Sequence, residues 1–276
     1  MKWQGRRQSS NVEDRRGRRG GGKTPGIIGI IVLLVGAYYG VDLSGIVGTP
    51  SVGMTQQSTK LDSQLESQLN ELSRVVLADT EDTWGKIFAR HGQQYRPAKM
   101  VLYTGGTSTA CGTGQATMGP FYCPGDQTVY LDLSFYEDMR TKLGAAGDAA
   151  FAYVIAHEVG HHVQNLLGIL PQVNQAQRGA GKAQANALSV KLELQADCFA
   201  GIWARDSINQ NLIDANDVQE AMLAAESVGD DRLQKQSQGY AVPDSFTHGS
   251  SAERMAWLKR GIDSGDINQC NTFAAN

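Results

Sequence analysis

Apolar positions recur at helical spacing in several segments of the chain. Four leucines and a valine follow one another at intervals of three or four among polar residues: Leu61, Leu65, Leu69, Leu72 and Val76. This spacing is typical of an amphipathic helix. An alanine-rich apolar run opens at Gly147 and Asp148, a helix-start signal, and a further apolar run covers residues 183–205. The pattern therefore predicts a chain in which helices predominate.

Strand patterns are fewer and shorter. Residues 99–103 and 129–133 are rich in β-branched, aromatic and leucine side chains, which predicts a strand in each. The fold class that we expect is therefore α+β, mainly helical with a small sheet. Residues 59–276 are long enough to form one domain with an ample core.

The first sixty residues differ in composition from the rest. Residues 1–24 carry eight basic and two acidic side chains, a net +6, and the remaining 17 basic and 26 acidic side chains give −9. Residues 25–42 are apolar and uncharged up to Asp42, which predicts a transmembrane signal anchor preceding the domain, with residues 43–58 as a tether. The positive-inside rule places the basic tail in the cytoplasm and the domain in the periplasm, at the inner membrane of a bacterium. A nucleic-acid-binding arm is the alternative for the tail, and the adjoining apolar segment disfavours it.

The cysteines are consistent with an extracytoplasmic domain. The chain has four, none of them in a C-x-x-C pair, and an oxidising compartment would allow disulfides to persist. Cys111 and Cys123 bracket a Gly/Thr-rich loop and could pair, which would leave Cys198 for Cys270. Four cysteines allow three connectivities, and the sequence does not choose among them.

The candidate chemistry begins with His157-Glu158-Val159-Gly160-His161, an H-E-x-x-H string inside the first alanine-rich helix. Histidines four residues apart share one face of a helix and can bind one Zn²⁺, while Glu158 reaches a zinc-bound water as general base. A second helix carries Glu193 and Asp197, also four residues apart, among apolar neighbours. Like charges at this spacing repel unless a cation lies between them. We therefore expect Glu193 as third ligand and Asp197 as a hydrogen-bond acceptor for a ligand imidazole.

Several strings in the expected order resemble the bacterial putative neutral zinc metallopeptidase family. They are Cys111-Gly112, Gly119 to Pro124, Val129 to Asp132, Ala156 to Gln164, Leu192 to Gly201 and Asp244 to Gly249. H-E-x-x-H followed by E-x-x-A-D is also similar to the wider gluzincin branch of zinc peptidases. The resemblance covers about residues 75–276 and implies a zincin-like fold with one zinc ion and a protein or peptide substrate.

The resemblance also implies roles for residues outside the two helices. His248 would stabilise the oxyanion of the tetrahedral intermediate, and Arg254 would orient either His248 or the carboxylates around the metal. An exposed or capping His248 is the alternative. Tyr130 and Leu131 would lie on the strand edge that pairs with extended substrate, although an ordinary structural strand fits them equally well.

The function that the sequence favours is a membrane-anchored, zinc-dependent peptidase of the cell envelope. A binding module with a zincin fold and restricted catalysis is the alternative, which the complete H-E-x-x-H motif disfavours. A structural zinc domain would need a fourth protein ligand from Cys198 or His162, and neither shares a face with the ligands. Nucleic acid is not an expected partner.

Overall fold

Helices predominate over two small sheets in residues 1–17 and 61–274, which the computed structural model describes. The helices are α1 Ser63–Arg90, α2 Phe135–Asp138, α3 Asp148–Leu166, α4 Ile169–Arg178, α5 Lys182–Asn209, α6 Ala215–Ser227, α7 Asp230–Gln238 and α8 Ser251–Ser264. The strands are β1 Val12–Asp14, β2 Lys99–Tyr103, β3 Gly106–Thr109, β4 Gly112–Gln115, β5 Phe121–Cys123 and β6 Thr128–Asp132. Short turns of other helix types lie at Ala116–Met118, Met139–Leu143, Pro243–Ser245 and Ile267–Cys270.

The three predicted helical segments are present in the structure. The leucine pattern belongs to α1, which begins where the Asp62 carboxylate accepts hydrogen bonds from the amides of Gln64 and Leu65. The start of α3 is capped from α6, because Glu220 Oε2 accepts a hydrogen bond from the amide of Ala149 at 3.2 Å. These caps fix where α1 and α3 begin.

The larger sheet has the strand order β1-β2-β6-β5. β1 runs parallel to β2 and β2 parallel to β6, whereas β5 is antiparallel to β6. Every residue of β6 is buried, because Val129 and Leu131 pack in the main core while Tyr130 packs in a second cluster on the opposite face. β3 and β4 form a separate antiparallel hairpin.

α5 lies between α3 and α8, and glycines allow both helices to approach it closely. A Cβ atom at Gly261 of α8 would lie 2.0 Å from the carbonyl oxygen of Cys198, and one at Gly160 of α3 would lie 3.0 Å from that of Ala196. Only glycine therefore fits where α8 crosses α5 at Gly261. The three helices thus bring their polar faces together at one place.

Residues 1–17 pack on the domain, whereas the sequence separates residues 1–24 from it as a basic tail. Trp3 is 4% exposed, and its indole N–H donates to Asp148 at the start of α3 over 2.7 Å. Arg7 forms ion pairs with Glu81 and Asp82 of α1. Together with β1, these contacts make the first residues part of the same packed unit.

The predicted membrane helix is not supported. Within residues 1–17 and 61–274 no helix combines the length and apolar character needed to cross a membrane. The segment expected to do so, residues 25–42, lies outside the described residues, as does the expected tether at 43–58. A single crossing would also place residues 1–17 and the domain on opposite sides of the membrane, whereas the structure packs them together.

Candidate metal centre and active site

The three predicted metal ligands come from two helices that cross at Gly160. α3 carries His157 and His161 one turn apart, and α5 carries Glu193. Because Gly160 lies between the two histidines and contacts Ala196, the helix backbones approach closely at the level of the ligands. The spacing of four residues on each helix therefore becomes one convergent group.

The donor atoms of this group lie close enough together to share one zinc ion. Glu193 Oε2 lies 3.1 Å from His157 Nε2, and Glu193 Oε1 lies 3.4 Å from His161 Nε2. All three donor atoms lie within 4.8 Å of one another, and the three side chains are mostly buried. Ligands about 2.0–2.1 Å from a tetrahedral zinc ion are separated by about 3.3 Å. His157, His161 and Glu193 therefore fit a zinc ion.

The electrostatics of the three ligands favour a cation. Burial alone would lower the pKa of His157, but the carboxylates of Asp197 and Glu193 raise it to about 10. The pKa of His161 is likewise raised, against burial, by Glu193. Burial works against ionisation of Glu193, yet the two imidazoles hold its pKa well below its usual range. An anionic Glu193 that faces both imidazoles therefore favours positive charge between these three side chains. A metal ion would supply that charge in place of protons on the imidazoles.

His157 is oriented by a buried network around Asp197. Its Nδ1 lies 2.8 Å from Asp197 Oδ1, which also accepts hydrogen bonds from Tyr153 Oη at 2.6 Å and Arg254 Nη2 at 3.0 Å. Arg254 Nε donates to the other carboxylate oxygen at 2.9 Å. Of the two roles considered for Arg254, the structure therefore brings it to the carboxylate beside the metal site, without a described bond to His248.

His161 is supported by a different kind of group. Its Nδ1 lies 2.9 Å from Oε1 of Gln164, whose amide nitrogen donates to the carbonyl of Leu192 on α5. Neither Gln164 nor Tyr153 was identified from the sequence. Both could have been found from spacing, since Tyr153 lies four residues before His157 and Gln164 three residues after His161.

Glu158 lies beside the ligands with its side chain buried. Burial raises the pKa of its carboxyl above the ordinary value, and the two histidines only partly oppose the rise. A carboxylate with a raised pKa is suited to accept a proton from water near neutral pH.

His248 lies on a loop that packs against α5 near the ligand Glu193. A Cβ at the neighbouring Gly249 would be 3.2 Å from Leu194, the residue after that ligand. Asp230 holds the loop, because its carboxylate lies 3.1 Å from His248 Nδ1 and accepts the amide of His248 at 2.7 Å. Partial desolvation lowers the pKa of His248, but its bond to Asp230 and the charge of Glu193 raise it overall. The sequence contains no spacing signal that connects Asp230 with His248.

Tyr130 and Leu131 do not lie at a sheet edge, so this prediction is wrong. They belong to β6, which is paired on both sides, with β2 and with β5. Both side chains are buried, at 2% and 0% exposure. The described strand next to α3 that stands at the end of the sheet order is β5, and its Tyr122 hydroxyl lies 3.0 Å from Nδ1 of His162.

Of the three connectivities that the sequence left open, the structure has the one that joins Cys111 to Cys123 and Cys198 to Cys270. The bond between Cys111 and Cys123 connects the turn of the β3–β4 hairpin to β5. The second bond joins Cys198 to Cys270 and attaches the C-terminal segment to α5 directly after Asp197. Cys198 is therefore not available as a zinc ligand, and both ring nitrogens of His162 are engaged elsewhere, by Tyr122 Oη and by the carbonyl of Arg96.

Comparisons with known proteins agree with the site. The model of the family described as "Putative neutral zinc metallopeptidase" matches residues 1–273. The chain is 56% identical to the uncharacterized protein YpfJ of Escherichia coli K12, over 99% of both chains. It is 42% identical to the uncharacterized protein Rv2575 of Mycobacterium tuberculosis H37Rv, over 66% of this chain and 64% of that one. No solved structure matches.

Proposed function

The chain belongs to the putative neutral zinc metallopeptidase family, and we propose that it hydrolyses peptide bonds with one zinc ion held by His157, His161 and Glu193. The observation that carries the proposal is the convergence of these three donors beside the buried carboxyl of Glu158. Two imidazoles and one carboxylate leave one position of a tetrahedral ion available for water or substrate, which distinguishes catalytic from structural zinc sites.

The zinc ion, when bound, supplies Lewis acidity toward water and toward the carbonyl group of the scissile peptide bond. Glu158 acts as the proton carrier: its carboxylate accepts a proton from the attacking water and returns it to the leaving nitrogen. Its burial raises its pKa toward the working pH, which favours both halves of this transfer.

His248 donates a hydrogen bond to the carbonyl oxygen of the substrate as negative charge develops there. Its bond to Asp230 and the raised pKa favour the protonated, donating form of the ring. Its side chain is half-exposed, as expected for a group that meets substrate. A donor of this kind stabilises the transition state by about 2.7–4 kcal/mol.

The substrate, we propose, binds as an extended peptide along β5 rather than β6. β5 is the last strand in the described order β1-β2-β6-β5 and packs against α3 through Tyr122. Main-chain pairing along such an edge accepts many side-chain sequences. The substrate class is therefore proteins or peptides with an accessible extended segment.

The compartment that we propose is extracytoplasmic, in the bacterial periplasm or an equivalent oxidising space. The support is the pair of disulfides, one of which lies directly beside Asp197. Residues 1–17 would lie in the same compartment, since they pack on the domain. Trapping the thiols of living cells with a membrane-impermeant alkylating agent tests this, because cysteines alkylated only after cell lysis and without prior reduction would contradict it.

The decisive experiment is digestion of an unfolded-peptide library by the purified full chain, loaded with zinc and read by mass spectrometry. Glu158→Gln should retain zinc and lose cleavage, because the amide cannot carry the proton. Glu71→Gln on α1 is the matched control and should cleave like wild type. Equal cleavage by wild type and Glu158→Gln would disprove the role of Glu158. No cleavage by a folded, zinc-loaded wild type would instead favour the binding-module function.

A further inference from the structure

A chain of buried side-chain amides leads from the ligand His161 into the core. Gln164 Nε2 donates to the carbonyl oxygen of Leu192 at 2.7 Å and to Oε1 of Gln195 at 3.1 Å. Gln195 Nε2 donates in turn to the carbonyl oxygen of Cys270 at 2.9 Å. The side chains of Gln164 and Gln195 are 0% and 4% exposed, so water does not compete for these bonds.

The direction of every hydrogen bond in this chain is determined by the two backbone carbonyls. A carbonyl oxygen can only accept, so a side-chain amide that faces the carbonyl of Leu192 or Cys270 must turn its N–H toward it. Gln195 must therefore turn its oxygen toward Gln164, and Gln164 must turn its own oxygen toward His161. An oxygen at 2.9 Å from His161 Nδ1 accepts a hydrogen bond only if that nitrogen carries the proton.

We propose that Gln164 is the positioning residue of the metal ligand His161, and that Gln195 fixes the orientation of Gln164. This inference rests on the metal site of the proposed function. With the proton held on Nδ1, the lone pair of Nε2 faces Glu193, which lies 3.4 Å away. Gln164 thus does for His161 what Asp197 does for His157, with a neutral amide in place of a carboxylate.

The neutrality of the amide fits the charge balance of the buried site. Glu158, Glu193 and Asp197 can supply three negative charges, and Arg254 supplies one positive charge at hydrogen-bond distance from Asp197. A divalent cation then brings this group to neutrality. A carboxylate at position 164 would add an uncompensated buried charge, which is costly in a site of low dielectric.

The test measures zinc affinity of the full chain by competition with a chromophoric chelator. Gln164→Met keeps the volume of the side chain but removes its three hydrogen bonds, to His161, Leu192 and Gln195, and it should lower zinc affinity about 10–100-fold. Gln195→Met should give a smaller loss, because Leu192 still orients Gln164. Gln177→Met is the matched control: this glutamine also bonds α5, at Ala185 and Ser189, but not at the ligands. It should bind zinc like wild type.

A spectroscopic measurement separates positioning from general damage. In ¹⁵N-histidine NMR of the zinc-loaded protein, the Nδ1–H signals of both ligand histidines should be protected from exchange. Gln164→Met should lose protection at His161 and keep it at His157, whereas Gln177→Met should keep both.

Wild-type zinc affinity and a protected His161 signal in Gln164→Met would overturn the inference. If Gln164→Met does not fold, Gln195→Met decides, because unchanged affinity and protection there would refute the amide chain. A wild-type protein that binds no zinc would instead refute the metal site of the proposed function.

Discussion

The crossing of α5 and α8 allows a sharp test of how the fold holds the site. A Cβ added at Gly261 would lie 2.0 Å from the carbonyl oxygen of Cys198 and 2.9 Å from the Cα of Gly201, whereas real Cβ atoms essentially never come within 3.0 Å. Both contacts are with backbone, which cannot rotate away as a side chain can. Gly261→Ala must therefore push the two helices apart.

The cost can be estimated from two opposing terms. Overpacking a tight contact costs about 1–3 kcal/mol, and a backbone clash belongs at the upper end of that range. Alanine recovers about 1 kcal/mol over glycine inside a helix. We expect Gly261→Ala to lower the free energy of unfolding by about 2 kcal/mol. Gly160→Ala, where the nearest contact is 3.0 Å, should cost less.

Gly85 provides the matched control because it lies inside α1, where an added Cβ would meet no atom within 4 Å. There the clash is absent and only the helix-propensity gain remains. Gly85→Ala should therefore raise the free energy of unfolding by about 1 kcal/mol. The same glycine-to-alanine substitution should thus lower the free energy of unfolding at Gly261 and raise it at Gly85.

The displacement should also reach the metal site. Arg254 precedes Gly261 by two turns of α8, and Asp197 precedes Gly201 by about one turn of α5. Their ion pair, at 2.9 Å, spans the interface that Gly261→Ala opens. We therefore expect weaker zinc binding as well as lower stability in this variant.

Urea denaturation of the zinc-free full chain, followed by circular dichroism, measures the stabilities, and chelator competition measures the affinities. A Gly261→Ala protein as stable as wild type would refute the close crossing. Equal losses of stability in Gly261→Ala and Gly85→Ala would show that the effect of replacing glycine by alanine does not depend on packing.

Three further predictions concern the supports of the site. Trp3→Ala should cost about 3–5 kcal/mol in urea denaturation, because a buried indole and its bond to Asp148 are lost; a value below about 1 kcal/mol would contradict the packing of residues 1–17. Burial opposes ionisation of Asp230, but its hydrogen bonds lower the pKa of this carboxyl below the ordinary value. The stability that the ionised Asp230 contributes is therefore present above pH about 4 and is lost as the pH falls through the lower pKa of the folded state. Asp230→Asn should therefore be less stable than wild type at pH 7, with a difference that disappears in acid, and a difference independent of pH would contradict this. Replacing both Cys198 and Cys270 by alanine should cost about 4 kcal/mol, since the bond closes a loop of 72 residues, and an unchanged denaturation midpoint would argue against the bond.

The convergence of the candidate metal ligands could be predicted from sequence because the spacing within each helix is local. Residues four apart on one helix share a face whatever the rest of the fold does, so His157 with His161, and Glu193 with Asp197, were already paired before any tertiary contact was known. The apolar neighbours of Glu193 and Asp197 showed that this face is buried. Buried carboxylates need a partner, which connected the second helix to the first.

The role of β6 could not be predicted in this way. Strand order is a non-local property, and a strand that is apolar on both faces indicates burial without indicating its neighbours. β6 lies inside the sheet because Lys99–Tyr103 pair with one side of it as β2, while Phe121–Cys123 pair with the other side as β5. Among the described strands, β5 rather than β6 therefore stands at this end of the sheet order.

The basic N-terminal residues show the same limitation for charge. Arginines in a Gly-rich segment resemble a solvated arm, because sequence composition does not reveal partners that are distant in the chain. In the structure Arg7 pairs with Glu81 and Asp82, and Arg16 pairs with Glu66, so α1 supplies the acidic partners. Residues 1–24 carry a net charge of +6. Within residues 1–17, part of this basic charge therefore faces acidic side chains of α1 in the same molecule.

The two histidines of the proposed metal site differ in which other parts of the chain orient them. His157 relies on Asp197, whose charge is balanced by Arg254 of α8, so its orientation depends on the α5–α8 crossing. His161 relies on Gln164, whose orientation depends on α5 and, through Gln195, on the carbonyl of Cys270. Damage to the crossing at Gly261 should therefore disturb His157 first, whereas loss of Gln164 should disturb His161 first. The ¹⁵N-histidine spectrum of the zinc-loaded protein can separate the two cases, and identical changes at both histidines in both variants would show that the site responds as one rigid unit instead.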